Sequence, residues 1–381
     1  MEMLSFRHKA VQDTQKDTAF QPAELILGKE VYELEQRLAA WVGTERCVAV
    51  SDPASALALA LRTAGVNAGD LVICAALGCA LPVQGIMLAG GVPVFADINP
   101  NTYTLDPFCL EYALEKLRRN KYETPRALIA TNLFGAPCHL TELEQICRSR
   151  GIELIEDMTA SFGAKHHDRM CGSFGRFSVA SFASPGPFDE PGGGAVFCRS
   201  QGDAEKISAL RRTVSQQRID LGPDIRTPRI GSADASLTDM RLDGMEEEHE
   251  LRRKAAARYR KNLAGKVRVQ KLVDGGQSVY SQLVAALPKG ADRPEVIRRL
   301  FELNIPSGPP LCGVQSADTE WNRSMLVSTR ALAERLLSLP VHAHLNEQVV
   351  DFICQSLLEA IAEDRGQKSE VRVQRTEDRT F

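Results

Sequence analysis

The chain has 381 residues, 44% of them hydrophobic and 25% charged, with a formal net charge of -3. That is the make-up of an ordinary globular protein with two or three domains, and the near-neutral balance gives no electrostatic case for nucleic acid or an anionic membrane. The ten cysteines form no CxxC pair, and the opening MEMLSFRHKAVQDTQKD has no apolar core of a secretion signal. Reduced thiols in the cytoplasm are therefore expected, with most cysteines acting as small buried hydrophobes.

In chain order, CVAVS (47–51) reads as a strand and ASALALALRTAG (54–65) as a helix ending at glycine. The 26 residues between Asp70 and Asp97 carry no charge, a length that could cross a bilayer. Gly78, Pro82, Gln84, Gly90, Gly91 and Pro93 instead divide them into strand (71–76), helix (81–90) and strand (92–98), the continuous apolar runs of a sheet buried on both faces. Asp106 and Pro107 open a helix through Asn120, with the aspartate as N-cap. A strand (126–131), a helix (140–151) and a strand (152–158) follow. This alternation predicts an α/β fold with a mostly parallel sheet and right-handed crossovers. After Phe197 the pattern changes. Residues 203–219 read as helix, 220–240 as loop and 246–263 as a long charged helix whose face is solvated, with His249 on it. A strand (279–287), a helix (293–304) and helices at 328–338 and 346–363 make a smaller α+β region. The expected division is an N-terminal arm (1–20), a large domain (21–245), a small C-terminal domain (246–363) and a disordered charged tail (364–381). His166, His167 and Asp168 read as a turn with exposed histidines, and Gly192–Gly194 as a close approach between backbones.

Seven segments in this order resemble one family. They are GKEVYELEQRLAAWVGTERCVAVS, GVNAGDLVI, GGVPVFADINPNTYTLDP, NLFGAPCHLTEL, IELIEDMTASFGA, DMRLDGMEEEHELRRKAAARYRKNL and LLSLPVHAHLNEQVV. Together they are similar to the DegT/DnrJ/StrS sugar aminotransferases, over about residues 20–363. The resemblance implies a fold-type-I pyridoxal-phosphate (PLP) protein, dimeric across its active site. In that family PLP serves as an electron sink, tethered by a lysine, with an acid on its ring nitrogen, an anion cup for its phosphate and an aromatic over its ring.

Carried over position by position, the match is uneven. Asp157 stands where the family keeps the ring-nitrogen acid, and Ser181 where it keeps a phosphate ligand. In "F-S-F-x-x-x-K-x-h-x-x-G-E-G-G-A" the lysine falls on Gly186, or on Pro187 after a one-residue shift. No lysine lies between Lys165 and Lys206, and no histidine, the substitute in some sugar dehydratases of the family, lies between His167 and His249. The "S-G-T" of the cup is Asp52, Pro53 and Ala54: a negative charge, a residue with no N–H and one with no hydroxyl. The asparagine that a partner subunit lends to the phosphate is Asp239, whose carboxylate would repel it. The ring-face aromatic is Gly78 or Cys79, and the glutamine of "E-D-x-A-Q" is Ala160. Leu77, Cys79 and Leu81 could fill the ring's space.

These departures predict that no PLP is held covalently. The first expectation is a catalytically silent homologue, a homodimer or the partner of an active paralogue in a heterodimer, acting as a regulatory or scaffold subunit. The second is an enzyme that acts on a sugar nucleotide or similar metabolite, without PLP or with PLP or pyridoxamine phosphate (PMP) held noncovalently, using Asp52, His139, Asp157, Ser181 or Asp239. The third is an ordinary transaminase with a lysine from elsewhere in the sequence, Lys165 or Lys206 being nearest. No metal, nucleic acid or membrane is expected.

Overall fold

The structure, a computed structural model, describes residues 28–183, 188, 192–216, 229–310, 312–314 and 326–377. The expected arm (1–20) and Gly186 and Pro187, the two positions matched to the lysine, lie outside the described residues. The elements are α1 (Lys29–Val42), β1 (Arg46–Val50), α2 (Pro53–Thr63), β2 (Leu71–Ala75), β3 (Leu77–Gly78), α3 (Leu81–Ala89), β4 (Val92–Ala96), α4 (Pro107–Arg119), β5 (Ala127–Thr131), α5 (Leu140–Arg150), β6 (Glu153–Asp157), β7 (Lys165–His166) and β8 (Arg169–Met170). There follow β9 (Phe177–Ser181), β10 (Gly194–Cys198), α6 (Gln201–Gln216), α7 (Ser232–Leu242), α8 (Met245–Leu263), β11 (Arg268–Val269), β12 (Gly276–Gln277), β13 (Leu283–Ala286), α9 (Arg293–Glu302), β14 (Gly313–Val314), α10 (Val327–Ala333), β15 (Leu336–Leu339) and α11 (Glu347–Glu377).

Seven strands form the main sheet in the order β1-β10-β9-β6-β5-β2-β4. The pairings from β9 through β6, β5 and β2 to β4 are parallel, and β10 runs antiparallel to both β9 and β1. The sheet is thus mixed and mostly parallel, an α/β fold, as the alternation of elements predicts. The uncharged stretch becomes β2, β3, α3 and β4, and among the described residues no helix is long and apolar enough to cross a membrane. Helix α2 is buried from Ser55 to Leu61, lying between the sheet and α3. Burying Leu57, Leu59 and Leu61 contributes roughly 1.5–3 kcal/mol apiece, enough to fix where the helix begins.

The C-terminal region builds its own core from α8, β13, α9, β15 and α11. Strand β13 joins it to the large core. Leu283 and Ala285 face the small-domain side, while Val284 and Ala286 pack with β5 and α4 residues, the two-residue period of a strand buried on both faces.

Several expectations are corrected. Residues read as loop hold α7, because Ala235, Thr238 and Leu242 bury one face of it. The helix expected over 328–338 stops at Ala333, and β15 then adds to β13. The tail expected to be disordered from 364 continues as helix to Glu377. Asp364 is buried there and accepts from the Asp292 amide at 3.1 Å, which ties the helix to the start of α9. His249 is not on a solvated face. It is 1% exposed, and a side-chain carbon on Gly163 would lie 2.7 Å from its ring.

Candidate functional site

The site is assembled at the carboxyl ends of parallel strands, where open α/β sheets place their ligands. Asp157 ends β6, in register with Thr131 at the end of β5 and with Val179 of β9. Ser181 ends β9 opposite Gly194, which in turn lies opposite Val50 of β1. Helix α2 begins three residues after Val50. A side-chain carbon on Gly194 would lie 3.0 Å from the Pro53 backbone and 3.0 Å from the Ala180 oxygen. Glycine is therefore needed at 194 to let β10 pass this close to the α2 start, whereas Gly193 faces the Phe182 and Ile230 side chains and Gly192 faces open space.

Asp157 is 1% exposed. One of its carboxylate oxygens accepts from the Thr159 hydroxyl at 2.6 Å and the Thr159 amide at 3.1 Å. The other accepts from the Thr131 hydroxyl at 3.2 Å. Burial pushes its pKa up, and these three donors oppose the shift without overcoming it. The neighbouring Glu156 points to the opposite face and is a structural anchor. Its buried carboxylate accepts from the amides of Gly172, Phe174 and Gly175.

The cup position holds an ordinary N-cap. The Asp52 carboxylate accepts from the Ser55 amide at 2.8 Å, the Ser55 hydroxyl at 2.7 Å and the Ser51 hydroxyl at 3.0 Å. A helix N-terminus attracts an anion through its free amides and its dipole. Here one free amide and both hydroxyls are taken by a carboxylate of the chain itself, and Pro53 supplies no amide. Ala54 adds no side-chain donor. Ser181 retains a donor proton, since its oxygen accepts from the Ala183 amide at 3.2 Å.

Cys79 stands beside Asp157. Burial first, and then the Asp157 charge, push its thiol up to about 12. Ala160 is half-buried in the turn after β6. The structure thus brings Asp52, Pro53, Cys79, Asp157 and Ser181 to one edge of the sheet.

It treats other expected residues differently. Asp239, on α7, pairs with Arg37 of its own chain at 2.6 Å, and the same guanidinium reaches Asp243 at 2.8 Å. Arg37 is shared between the two carboxylates, so the cluster keeps a net negative charge, and the other Asp239 oxygen is buried without a hydrogen-bond partner. His139 lies near His166 before α5; burial first, and then the His167 charge, lower the His166 pKa. His166 is buried, contrary to the expected pair of exposed histidines. His167 and Asp168, at φ 47° and 63°, form the tight turn between β7 and β8. Among the described residues no cluster of three metal-ligating side chains occurs. Lys165 lies in β7 paired with β12, and Lys206 projects from α6 toward Asp203 at 3.7 Å.

Sequence reasoning missed Thr131, Thr159 and Cys312. Thr159 has a local signal, two residues after an aspartate at a strand end, the spacing of a side-chain turn. Thr131 and Cys312 have none, because each reaches the site through a register with a distant strand.

Comparison with known proteins fits this geometry. A crystal structure of a DegT DnrJ EryC1 StrS aminotransferase from Brucella abortus superposes with a TM-score of 0.80 at 27% identity, covering 88% of this chain and 91% of that one. The UDP-2-acetamido-2-deoxy-3-oxo-D-glucuronate aminotransferase of Pseudomonas aeruginosa is 30% identical over 88% of this chain and 91% of its own length. A pleiotropic regulatory protein of Geobacillus stearothermophilus is 26% identical over 90% of this chain and 92% of its own. Residues 8–358 match the DegT/DnrJ/EryC1/StrS aminotransferase family, and the chain belongs to that family.

Proposed function

We propose that this member of the sugar aminotransferase family has given up PLP-dependent transamination. It serves in the cytoplasm as a non-catalytic partner or regulatory subunit, dimerised with itself or with a lysine-bearing paralogue. The observation that carries this reading is Asp52, whose carboxylate takes the donors a phosphate would use. At an effective dielectric of about 20, a carboxylate held about 4 Å from a phosphate charge costs on the order of 4 kcal/mol. The absence of any lysine between Lys165 and Lys206 supports the same reading. A relative of nearly equal length that is described as a regulatory protein supports the subunit role.

The test is titration of the purified protein with PLP, followed by borohydride reduction and mass measurement. No covalent coenzyme adduct is expected. A reduced adduct on Lys165, Lys206 or any other lysine would end this reading in favour of an ordinary transaminase. For the subunit role, native mass measurement after co-expression with an active paralogue should show a heteromer.

A second reading is favoured by Asp157, a buried carboxyl with a raised pKa beside a thiol. Such a group holds its proton more tightly than an exposed carboxyl and can serve as a proton donor or acceptor. In this reading the cleft binds a sugar nucleotide, the substrate class of the Pseudomonas relative, and works without a tethered coenzyme. Binding of UDP-sugars that is lost in Asp157→Asn would favour it over the first.

A further inference from the structure

Strand β14 pairs antiparallel with β3, with Gly313 opposite Gly78 and Val314 opposite Leu77. One step further along the same register, Cys312 faces Cys79. Directly opposed residues of an antiparallel pair present their side chains on one face with α-carbons about 4.5–5.5 Å apart. A disulfide needs about 4.4–6.8 Å. The same proximity shows in the electrostatics: after burial, the neighbouring Cys79 is the next influence that raises the Cys312 thiol, to about 12.

The setting separates this pair from the other cysteines. Seven are buried, and only Cys79, Cys109 and Cys312 are half-buried. Two of those three face each other. Cys79 lies beside Asp157, at the position matched to the face of the coenzyme ring.

We propose that Cys79 and Cys312 form a redox pair that closes as a disulfide across the mouth of the old coenzyme cleft, fastening the C-terminal β14 segment to β3. The oxidant is a small-molecule disulfide of the glutathione class. One cysteine, as thiolate, attacks that disulfide and releases one molecule of the small thiol. The second cysteine then attacks the mixed disulfide and releases another. Two electrons pass from the cysteine pair to the small disulfide, and the two thiol protons leave with its products. Burial keeps both thiolates scarce at neutral pH, so closure is a slow exchange rather than a fast sensor. The bond itself is independent of whether the cleft binds PLP. Only its consequence, closure of a vacated cleft, rests on the function proposed above.

The full-length protein is equilibrated in glutathione buffers of graded oxidised-to-reduced ratio, its remaining thiols are alkylated, and its peptides are mapped by mass. A Cys79–Cys312 peptide pair is expected, enriched about tenfold or more in oxidised over reduced buffer and absent from Cys79→Ser and from Cys312→Ser. Circular dichroism of both variants checks that they fold. Two thiols that stay alkylatable at every ratio would overturn the proposal. So would glutathione mixed disulfides that never resolve, or earlier cross-linking of Cys138 with Cys171, a fully buried neighbouring pair. None of these readouts involves the coenzyme, so their failure is distinguishable from failure of the proposed function.

Discussion

Helices α2 and α4 begin with the same two residues, Asp52-Pro53 and Asp106-Pro107. In both the aspartate is extended, proline fills the first turn, and the carboxylate accepts the amide three residues on at 2.8 Å. The spare oxygen is also occupied in both, by two serine hydroxyls on Asp52 and by the Asn99 amide at 2.7 Å on Asp106. Yet α4 starts at an ordinary connection, while α2 starts where the family resemblance leads one to expect a phosphate. The difference teaches that an anion cup and a capped helix start are the same backbone feature with different occupants. An internal carboxylate is always present at full effective concentration, so it outcompetes a diffusing anion for the same donors.

The two starts differ most in their neighbours, which gives the strongest test. Gly194→Ala should destabilise the protein by about 1–3 kcal/mol, because its new carbon meets the Pro53 backbone. Urea unfolding measures it, and a cost below about 0.5 kcal/mol would contradict a tight contact. Among the described residues no glycine makes such a contact with the start of α4. Next, Asp52→Ala and Asp106→Ala should each cost about 1 kcal/mol in the same assay, if both are simple caps. An Asp52→Ala variant that gains stability would mean its carboxylate is a strained functional group, not a cap. Smallest in stability is the exchange to asparagine, which caps equally well without charge. Asp52→Asn and Asp106→Asn should each change stability by only a few tenths of a kcal/mol. Calorimetric titration with inorganic phosphate should nevertheless separate them, with affinity raised about tenfold or more in Asp52→Asn and unchanged in Asp106→Asn. Equal responses would remove the special status given to the α2 start.

Much of this was legible residue by residue. Asp106 before Pro107 announced its own cap, and the alternating apolar runs from Cys47 to Met158 announced the sheet. Asp157 at a strand end, and the unusual cup of Asp52, Pro53 and Ala54, could be placed on the family pattern without coordinates. His249 could not be placed, because a lone histidine in a charged helix gives no sign of which neighbour covers it. Its burial depends on Gly163, far off in sequence. The partnership of Asp239 with Arg37 spans 202 positions and was equally hidden.

Local chemistry along the chain, such as helical and strand periods, caps and glycine turns, was fixed by neighbours within a few residues, so the order of amino acids alone specified it. Which carboxylate met a cation, which histidine lost its water and how β14 aligned with β3 depended on chain segments up to hundreds of residues apart. Those outcomes are set by packing and strand register, where a single-residue slip reverses every side chain, and only the folded arrangement decided them.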